Sequence, residues 1–226
     1  VEDDIKYYLL KYHINFLGEE QNSKKLFELI DENEMLISST YYNQRIRWQV
    51  LKKVCSQTDI KLDLKLRLIK NELERDPNPS KQKRYDACYA SIADKDVKEK
   101  IWNEIISYGY TDNSKNIEIL MKNFWTRSCS LLIAKYEDLF FEKIMEIRNT
   151  KSVRFCLDFI QYLYPRYSPA DRVIDRSLKL LSAFPDRQSL LKKTLKQRTN
   201  LMILSRESKN NIIKECDNED DEHTNQ

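Results

Sequence analysis

Glycine is nearly missing from this chain. Gly18 and Gly109 are the only two in 226 residues, and proline occurs five times. β-Sandwiches and dinucleotide-binding folds need glycine at tight turns and phosphate loops, so both are excluded. Neither G-x-G-x-x-G nor a Walker loop can be written with two isolated glycines. Histidine is as scarce. His13 and His223 lie near opposite ends, so the H-E-x-x-H pair of a zinc protease cannot form within the chain. No run approaches eighteen uncharged apolar residues, which leaves no membrane span. The five cysteines, Cys55, Cys88, Cys129, Cys156 and Cys216, are far apart, odd in number and never C-x-x-C. They read as core thiols of a reducing compartment, and none has a histidine nearby to activate it. Every N-x-S/T glycosylation site is missing as well, since Asn78 is followed by Pro79. The cytoplasm is the expected location.

An excess of one charge is also lacking. Against 36 acidic groups stand 39 basic ones, a net +3, which makes no case for a strongly charged partner. Basic clusters occur at Lys81 to Arg84 and at Lys192, Lys193, Lys196 and Arg198, but Asp and Glu are interleaved almost everywhere. A nucleic-acid reader would concentrate charge on one face beside aromatic platforms, so no nucleic-acid partner is expected. Glu72, Glu74 and Asp76 form a mixed-charge run at a helix end and read as a solvated face rather than a catalytic carboxylate pair. The residues therefore supply no catalytic group and no metal ligand. The substrate-binding set is unknown, and Arg127, Arg166 and Tyr167 are not assigned to it.

What the chain does have is leucine, isoleucine, lysine and glutamate in helical spacing, and the expected class is all-α. Asp3 or Asp4 starts a helix with Ile5, Tyr8, Leu9, Tyr12 and Phe16 along one stripe, stopped at Gly18. A short helix from Ser23 carries Leu26, Phe27, Leu29 and Ile30. A third repeats Tyr42, Ile46, Val50, Leu51 and Val54, with Trp48 off the stripe. I-K-L-D-L-K-L-R-L at 60–68 alternates like a strand. Its leucines, lysines and arginine favour helix, with Leu62, Leu66, Ile69 and Leu73 as the inner face.

Pro77 and Pro79 end that helix. The next carries Tyr85, Cys88, Tyr89 and Ile92, and Asp94 or Asp96 caps the one after, which ends at Gly109. Helices starting at Ser114, after Ser130 and at Thr150 or Ser152 follow, the last striped by Val153, Cys156, Leu157, Ile160 and Leu163. Ser168 with Pro169 and Asp171 starts another through Val173, Ile174, Ser177, Leu178 and Leu181. Pro185 and Asp186 start the last, with Leu191, Leu195, Arg198 and Met202. Short turns make neighbours antiparallel, and stacked hairpins give an α-solenoid of the HEAT or armadillo type, without a clean sequence period. Residues 1–213 read as one superhelical domain, and 214–226 as an acidic disordered tail.

The stretch Leu68 to Trp102 is the most distinctive. L-I-K-N-E-L-E-R-D-P-N-P-S-K-Q-K-R and A-C-Y-A-S-I-A-D-K-D-V-K-E-K-I-W resemble the C-terminal helical domain of the aminopeptidase N family of zinc metallopeptidases (gluzincin aminopeptidases). The matching residues are Glu72, Leu73, Arg75, Asp76 and Pro77, then Ala87 and Ala90, then Asp94, Lys98 and Trp102. I-R-W-Q-V-L-K-K-V at 46–54, N-F-W at 123–125 and L-Y-P-R-Y-S at 163–168 follow the family's order, so the resemblance spans Phe16 to Arg206.

The resemblance implies a non-catalytic domain whose parent enzyme removes amino-terminal residues from peptides. The zinc and its ligands belong to preceding domains, and no cofactor sits in this chain. Its partners are then the catalytic domains of the same polypeptide and the peptide substrates that the superhelix encloses. The opening V-E-D-D, without Met, reads as a piece of a longer polypeptide. The alternative is a free-standing helical-repeat scaffold that binds proteins on its concave face; an RNA-binding solenoid is a weaker third.

Overall fold

A computed structural model describes residues 2–16, 40–108, 114–126, 130–184 and 189–224. Among these residues there are ten helices and no strand: the protein is all-α. In chain order they are α1 (Glu2–Phe16), α2 (Thr40–Ser56), α3 (Leu62–Arg75), α4 (Lys81–Ser91) and α5 (Lys95–Ser107). Then come α6 (Ser114–Phe124), α7 (Ser130–Thr150), α8 (Val153–Leu163), α9 (Ala170–Ala183) and α10 (Ser189–Thr224). The helix expected from Ser23, with Leu26 to Ile30, lies outside the described residues, as do Gly18, Gly109, Pro185 and Asp186. Among the described residues no helix is long and apolar enough to cross a membrane.

Local chemistry accounts for most boundaries. Of the alternating stretch 60–68, residues 62–68 are helical, as their leucine and lysine content favours, and open α3, while Ile60 and Lys61 precede the helix with Lys61 as its extended N-cap. Pro77 and Pro79 stop α3, with Asp76 as the C-cap whose N–H reaches the Glu72 carbonyl. Asp94 caps α5 by accepting the N–H groups of Asp96 and Val97 at 3.0 and 3.1 Å. Ser152 caps α8 by accepting from Phe155 N at 3.2 Å. One start differs. Pro169, not Ser168, is the N-cap of α9, and no side chain caps that end.

The chain divides into two compact units, 1–133 and 134–226. In the first, α2, α4 and α6 lie side by side with α4 in the middle. Helix α1 packs on α2, α3 on α2 and α4, and α5 on α4 and α6. Tyr7 and Ile14 of α1, Ile46, Val50 and Val54 of α2, and Ile60 form one buried cluster, flanked by Leu10, Leu64 and Leu68.

This corrects two expected faces. On α1 the stripe Ile5, Tyr8, Leu9 and Tyr12 is exposed, and Tyr7 and Ile14 face inward. On α3 the fully buried positions are Lys65, Ile69 and Glu72, while Leu62, Leu66 and Leu73 are half-buried flanks. Both helices are apolar on more than one side, so periodicity alone does not choose the face.

The second unit is built on α8, α9 and α10, with α10 contacting both of the others. Its core is aromatic. The Phe140 ring lies parallel to Phe159 at 5.3 Å, with Tyr164 edge-on to Phe140 at 6.0 Å and Phe155 stacked on Phe159 at 6.3 Å. Val153 and Leu178, expected inside, are exposed; Phe155, Phe159 and Leu180 take the buried places. The backbone of α10 runs on into the acidic stretch, to Thr224.

Candidate functional site at the helix ends of the first unit

At 3.6 residues per turn, Lys65, Ile69, Glu72 and Asp76 line up along the inner side of α3 and the corner after it. Three of these four are charged, and each charge is met. The Lys65 ammonium donates to the Gln57 carbonyl just past the end of α2. Glu72, 3% exposed, accepts Arg47 Nη2 at 3.0 Å and Nε at 3.2 Å, and Gln44 Nε2 donates to it as well. Asp76, fully buried, accepts Trp48 Nε1 at 2.7 Å and Arg84 Nη1 at 3.0 Å on one oxygen. The other oxygen takes Asn78 N at 2.9 Å. A buried charge is tolerated only when it is paired and hydrogen-bonded, and here α2, α3 and α4 share the pairing. Glu72 and Asp76 are therefore fixed acceptors within the fold, buried instead of solvated. Glu74 alone of that run is exposed.

Lys98 repeats the device one step along. Its ammonium donates to the carbonyls of Ala90 and Phe124, both at 2.6 Å, and lies 5.0 Å from the Phe124 ring centroid. Carbonyls of a last helical turn have no acceptor role inside their own helix, and Lys98 satisfies one at the end of α4 and one at the end of α6. Both lysines are the fourth residue of their helix, and each reaches a carbonyl eight residues earlier. Shifted by 33 residues, Cys55, Gln57, Asp63, Lys65 and Ile69 fall on Cys88, Ala90, Asp96, Lys98 and Trp102. The signal that could have found this repeat is a cysteine ten residues before a helix-start lysine. Ala93 N bonds to the Cys55 carbonyl at 2.9 Å, tying the two copies together.

Three free thiols, Cys55, Cys88 and Cys156, are buried. Burial pushes Cys55 up to about 12, against a smaller downward pull from Lys65 and Lys98. Cys88 is raised well above the usual thiol range, first by burial and then by Cys55, and burial raises Cys156. All three stay neutral, as packed core thiols do. Cys129 and Arg127 lie outside the described residues, as do the side chains of Cys216, His13 and His223. Among the described residues no group of three or more His, Cys, Asp or Glu could hold a metal ion.

The basic clusters disperse. Arg84 is held by Asp76, while Lys83, Lys193 and Lys196 are exposed. Arg198 donates to Gln161 at 3.1 Å, its guanidinium pushed down by burial and then by Arg166. Arg166 sits over the Tyr167 ring at 5.0 Å, and both are exposed.

Helix α4 has a second face. Arg84, Cys88 and Ser91 share one side of it, toward Asp76 and Trp48. The remaining arc carries Gln82, Tyr85, Asp86 and Tyr89. The Tyr85 and Tyr89 rings are parallel, 7° apart in plane, with centroids at 6.3 Å. Gln82 Nε2 donates to Asp86 Oδ1 at 2.8 Å, and Asp86 Oδ2 is shielded from solvent with no hydrogen-bond partner. Burial raises the Asp86 carboxyl above its ordinary range, opposed by the Gln82 hydrogen bond. Tyr85 is raised by burial, then by Tyr89 and Asp86.

Compared with protein-family models and with curated protein sequences, the chain matches none.

Proposed function

We propose that this chain is the non-catalytic, superhelical C-terminal domain of a cytoplasmic zinc-dependent aminopeptidase. It caps the chamber of the catalytic domains and limits which peptides enter. In this reading the zinc sits in the catalytic domains, and the chain's partners are those domains and the peptides they trim. The observation that carries it is the convergence of the short segments on which the resemblance rests. Arg47 and Trp48 of I-R-W reach Glu72 and Asp76 of E-L-E-R-D-P. Lys98 and Trp102 of the D-x-x-x-K-x-x-x-W segment meet Phe124 of N-F-W, the two rings 5.9 Å apart. Four segments that look unrelated along the chain meet in two pairs of contacts, which is what a common fold would require of them.

The solenoid is part of the same proposal. A row of α2, α4 and α6, covered by α3 and α5 and stapled at a 33-residue spacing by Lys65 and Lys98, is the pattern that stacked helical hairpins make. Two experiments test the reading. The isolated chain is expected to be inactive on aminoacyl fluorogenic substrates, and chelator-sensitive turnover would sink the proposal. The reading frame upstream is expected to encode H-E-x-x-H within several hundred codons; without it the aminopeptidase assignment loses its basis. The second reading, a free-standing scaffold for other proteins, is favoured by the polar face of α4. It gains if the gene starts near Val1 and the chain captures a stable partner.

A further inference from the structure

Helix α10 carries its charge the wrong way round for a solitary helix. Its first half, residues 189–206, holds Lys192, Lys193, Lys196, Arg198 and Arg206 and no acid. Its last stretch, 215–224, holds Glu215, Asp217, Glu219, Asp220, Asp221 and Glu222 and no lysine or arginine. A helix macrodipole favours acids in the first turn and bases in the last, so both ends of α10 are opposed by their own backbone. Packing within the chain does not reach along the whole helix. Met202 is the last buried position among the described residues of α10, and residues 207–211 are all exposed. Leu190, Leu201 and Leu204 are 54, 51 and 58% exposed. At about 100° per residue these three share an arc of about 60°, turned away from the buried Leu191, Leu195 and Met202. A helix gains most of its stability by burying its apolar faces, and this one lies open to solvent.

We propose that α10 is a homodimerisation helix, on which a second copy of the chain pairs antiparallel along the leucine arc. A two-fold axis sets the basic half of each helix level with the acidic stretch of the other, at both ends at once. A register centred between Arg206 and Glu207 aligns Lys193 with Asp220, Lys196 with Asp217 and Arg198 with Glu215 along the helix axis. Opposite charges then meet, and each end of α10 lies beside the oppositely polarised end of its partner. Parallel pairing would stack base on base and acid on acid. Arg198 and Arg206 already engage Gln161 and Asp171, so the exposed Lys193 and Lys196 supply most of the attraction across the pair. Self-complementarity of one surface is what an isologous two-fold interface requires, which makes the occupant a second copy rather than an unrelated helix. This dimer goes beyond the reading above and stands on α10 alone, so its failure would leave the aminopeptidase assignment untouched.

The test is sedimentation equilibrium of the full chain. It is expected to dimerise reversibly, and 1 M salt, which screens the facing blocks, to weaken the dimer by about tenfold. Leu201→Lys combined with Leu204→Lys is expected to weaken it by about a hundredfold. Both positions are exposed, so the thermal melt of the dilute monomer should not move. Charge exchange is the sharper measurement. Lys193→Glu with Lys196→Glu in one chain, and Asp217→Lys with Asp220→Lys in another, should each be monomeric alone and form a one-to-one dimer when mixed. A wild-type chain that stays monomeric, a dimer strengthened by salt, or charge variants that do not pair on mixing would overturn the proposal.

Discussion

The two units bury charge in different ways. In residues 1–133 the acids and lysines lie inside, on the seams between helices: Lys65, Glu72, Asp76 and Lys98 each join elements that are not consecutive turns of one helix. In residues 134–226 the ion pairs reach in from the surface. Glu137 is 2% exposed, but Arg172, which meets it at 2.8 Å, is 52% exposed, and Arg176 meets it at 3.3 Å. Asp138, half exposed, receives the same two arginines. The interior of that unit is instead a stack of rings, Phe140, Phe159, Phe155 and Tyr164. The contrast teaches where specificity resides. Aromatic packing stabilises through buried area and ring geometry, whereas a buried ion also penalises any arrangement that strips it of its partners.

The ionic seam is disrupted most directly at Asp76. Asp76→Ala strands the Trp48 indole N–H, the Arg84 guanidinium and the Asn78 N–H together, and is expected to destabilise the first unit by about 3–5 kcal/mol. All three tryptophans, Trp48, Trp102 and Trp125, fall in that unit, so indole fluorescence in a urea titration reads it selectively. A loss under about 1 kcal/mol would mean that the corner is not organised around this carboxylate. The counterpart is Phe159→Ala, expected to remove about 3–5 kcal/mol from the second unit through the cavity it leaves between Phe140 and Phe155. Amide exchange in α8 and α10 should accelerate while the indole signal holds its midpoint. If the two signals move together instead, the units unfold as one.

Lys98→Met perturbs the first unit at its second buried lysine. It keeps the buried stem and removes the ammonium, leaving the Ala90 and Phe124 carbonyls without their donor, at a cost of about 2–4 kcal/mol. Lys65→Met, which releases the Gln57 carbonyl at the matching position, is expected to do no more. If it does more, the two lysines are not equivalent staples of one repeat.

These lysines also mark the limit of what the sequence discloses. Caps and stops are legible, because Asp94, Ser152, Pro77 and Pro79 act on their own neighbours. The inner face of α3 is not. Leucines at 62, 66 and 73 outnumber the polar alternatives, and a lysine that will bond a carbonyl eight residues away looks like any solvated lysine. Long-range partners decide the matter, and Glu72 acquires Arg47 across 25 residues. The exposed stripe of α1 fails the same test, since Tyr7 and Tyr8 are one residue apart and only packing separates them. On α4, nothing in the pattern distinguishes Tyr85, Asp86 and Tyr89 from an ordinary polar face until Oδ2 is seen to be shut away.

A gentler perturbation is alkali. Cys55 is raised in the folded chain to about 12 from an ordinary value of 9.0, so its neutral thiol favours folding fully below pH 9. That contribution is lost as the pH climbs toward 12, because the unfolded chain releases the proton first. At pH 10 the first unit should be weaker by about 1 kcal/mol on account of this thiol, and Cys55→Ala should flatten the slope. The second unit, read by amide exchange in α8 and α10, should respond less over the same range.

The smallest effect belongs to the surface pairs of the second unit. Arg176→Ala removes contacts to Glu137 and Asp138 and the guanidinium lying 4.4 Å over the Phe141 ring. Arg172 still reaches both carboxylates, so neither is abandoned. The loss is expected to be roughly 0.5–1 kcal/mol, a fraction of the Asp76 effect although two acids are involved. The Asp138 carboxyl is held below its usual range by hydrogen bonds from Arg176 and then Arg172. Its contribution is therefore present above that range and fades as the pH drops through the lowered value. Since Asp138 faces water, 1 M salt should erase much of the Arg176 effect while leaving the Asp76 effect intact. If salt weakens both equally, the carboxylate of Asp76 is reached by solvent, and the distinction between an ionic seam and an ionic surface fails.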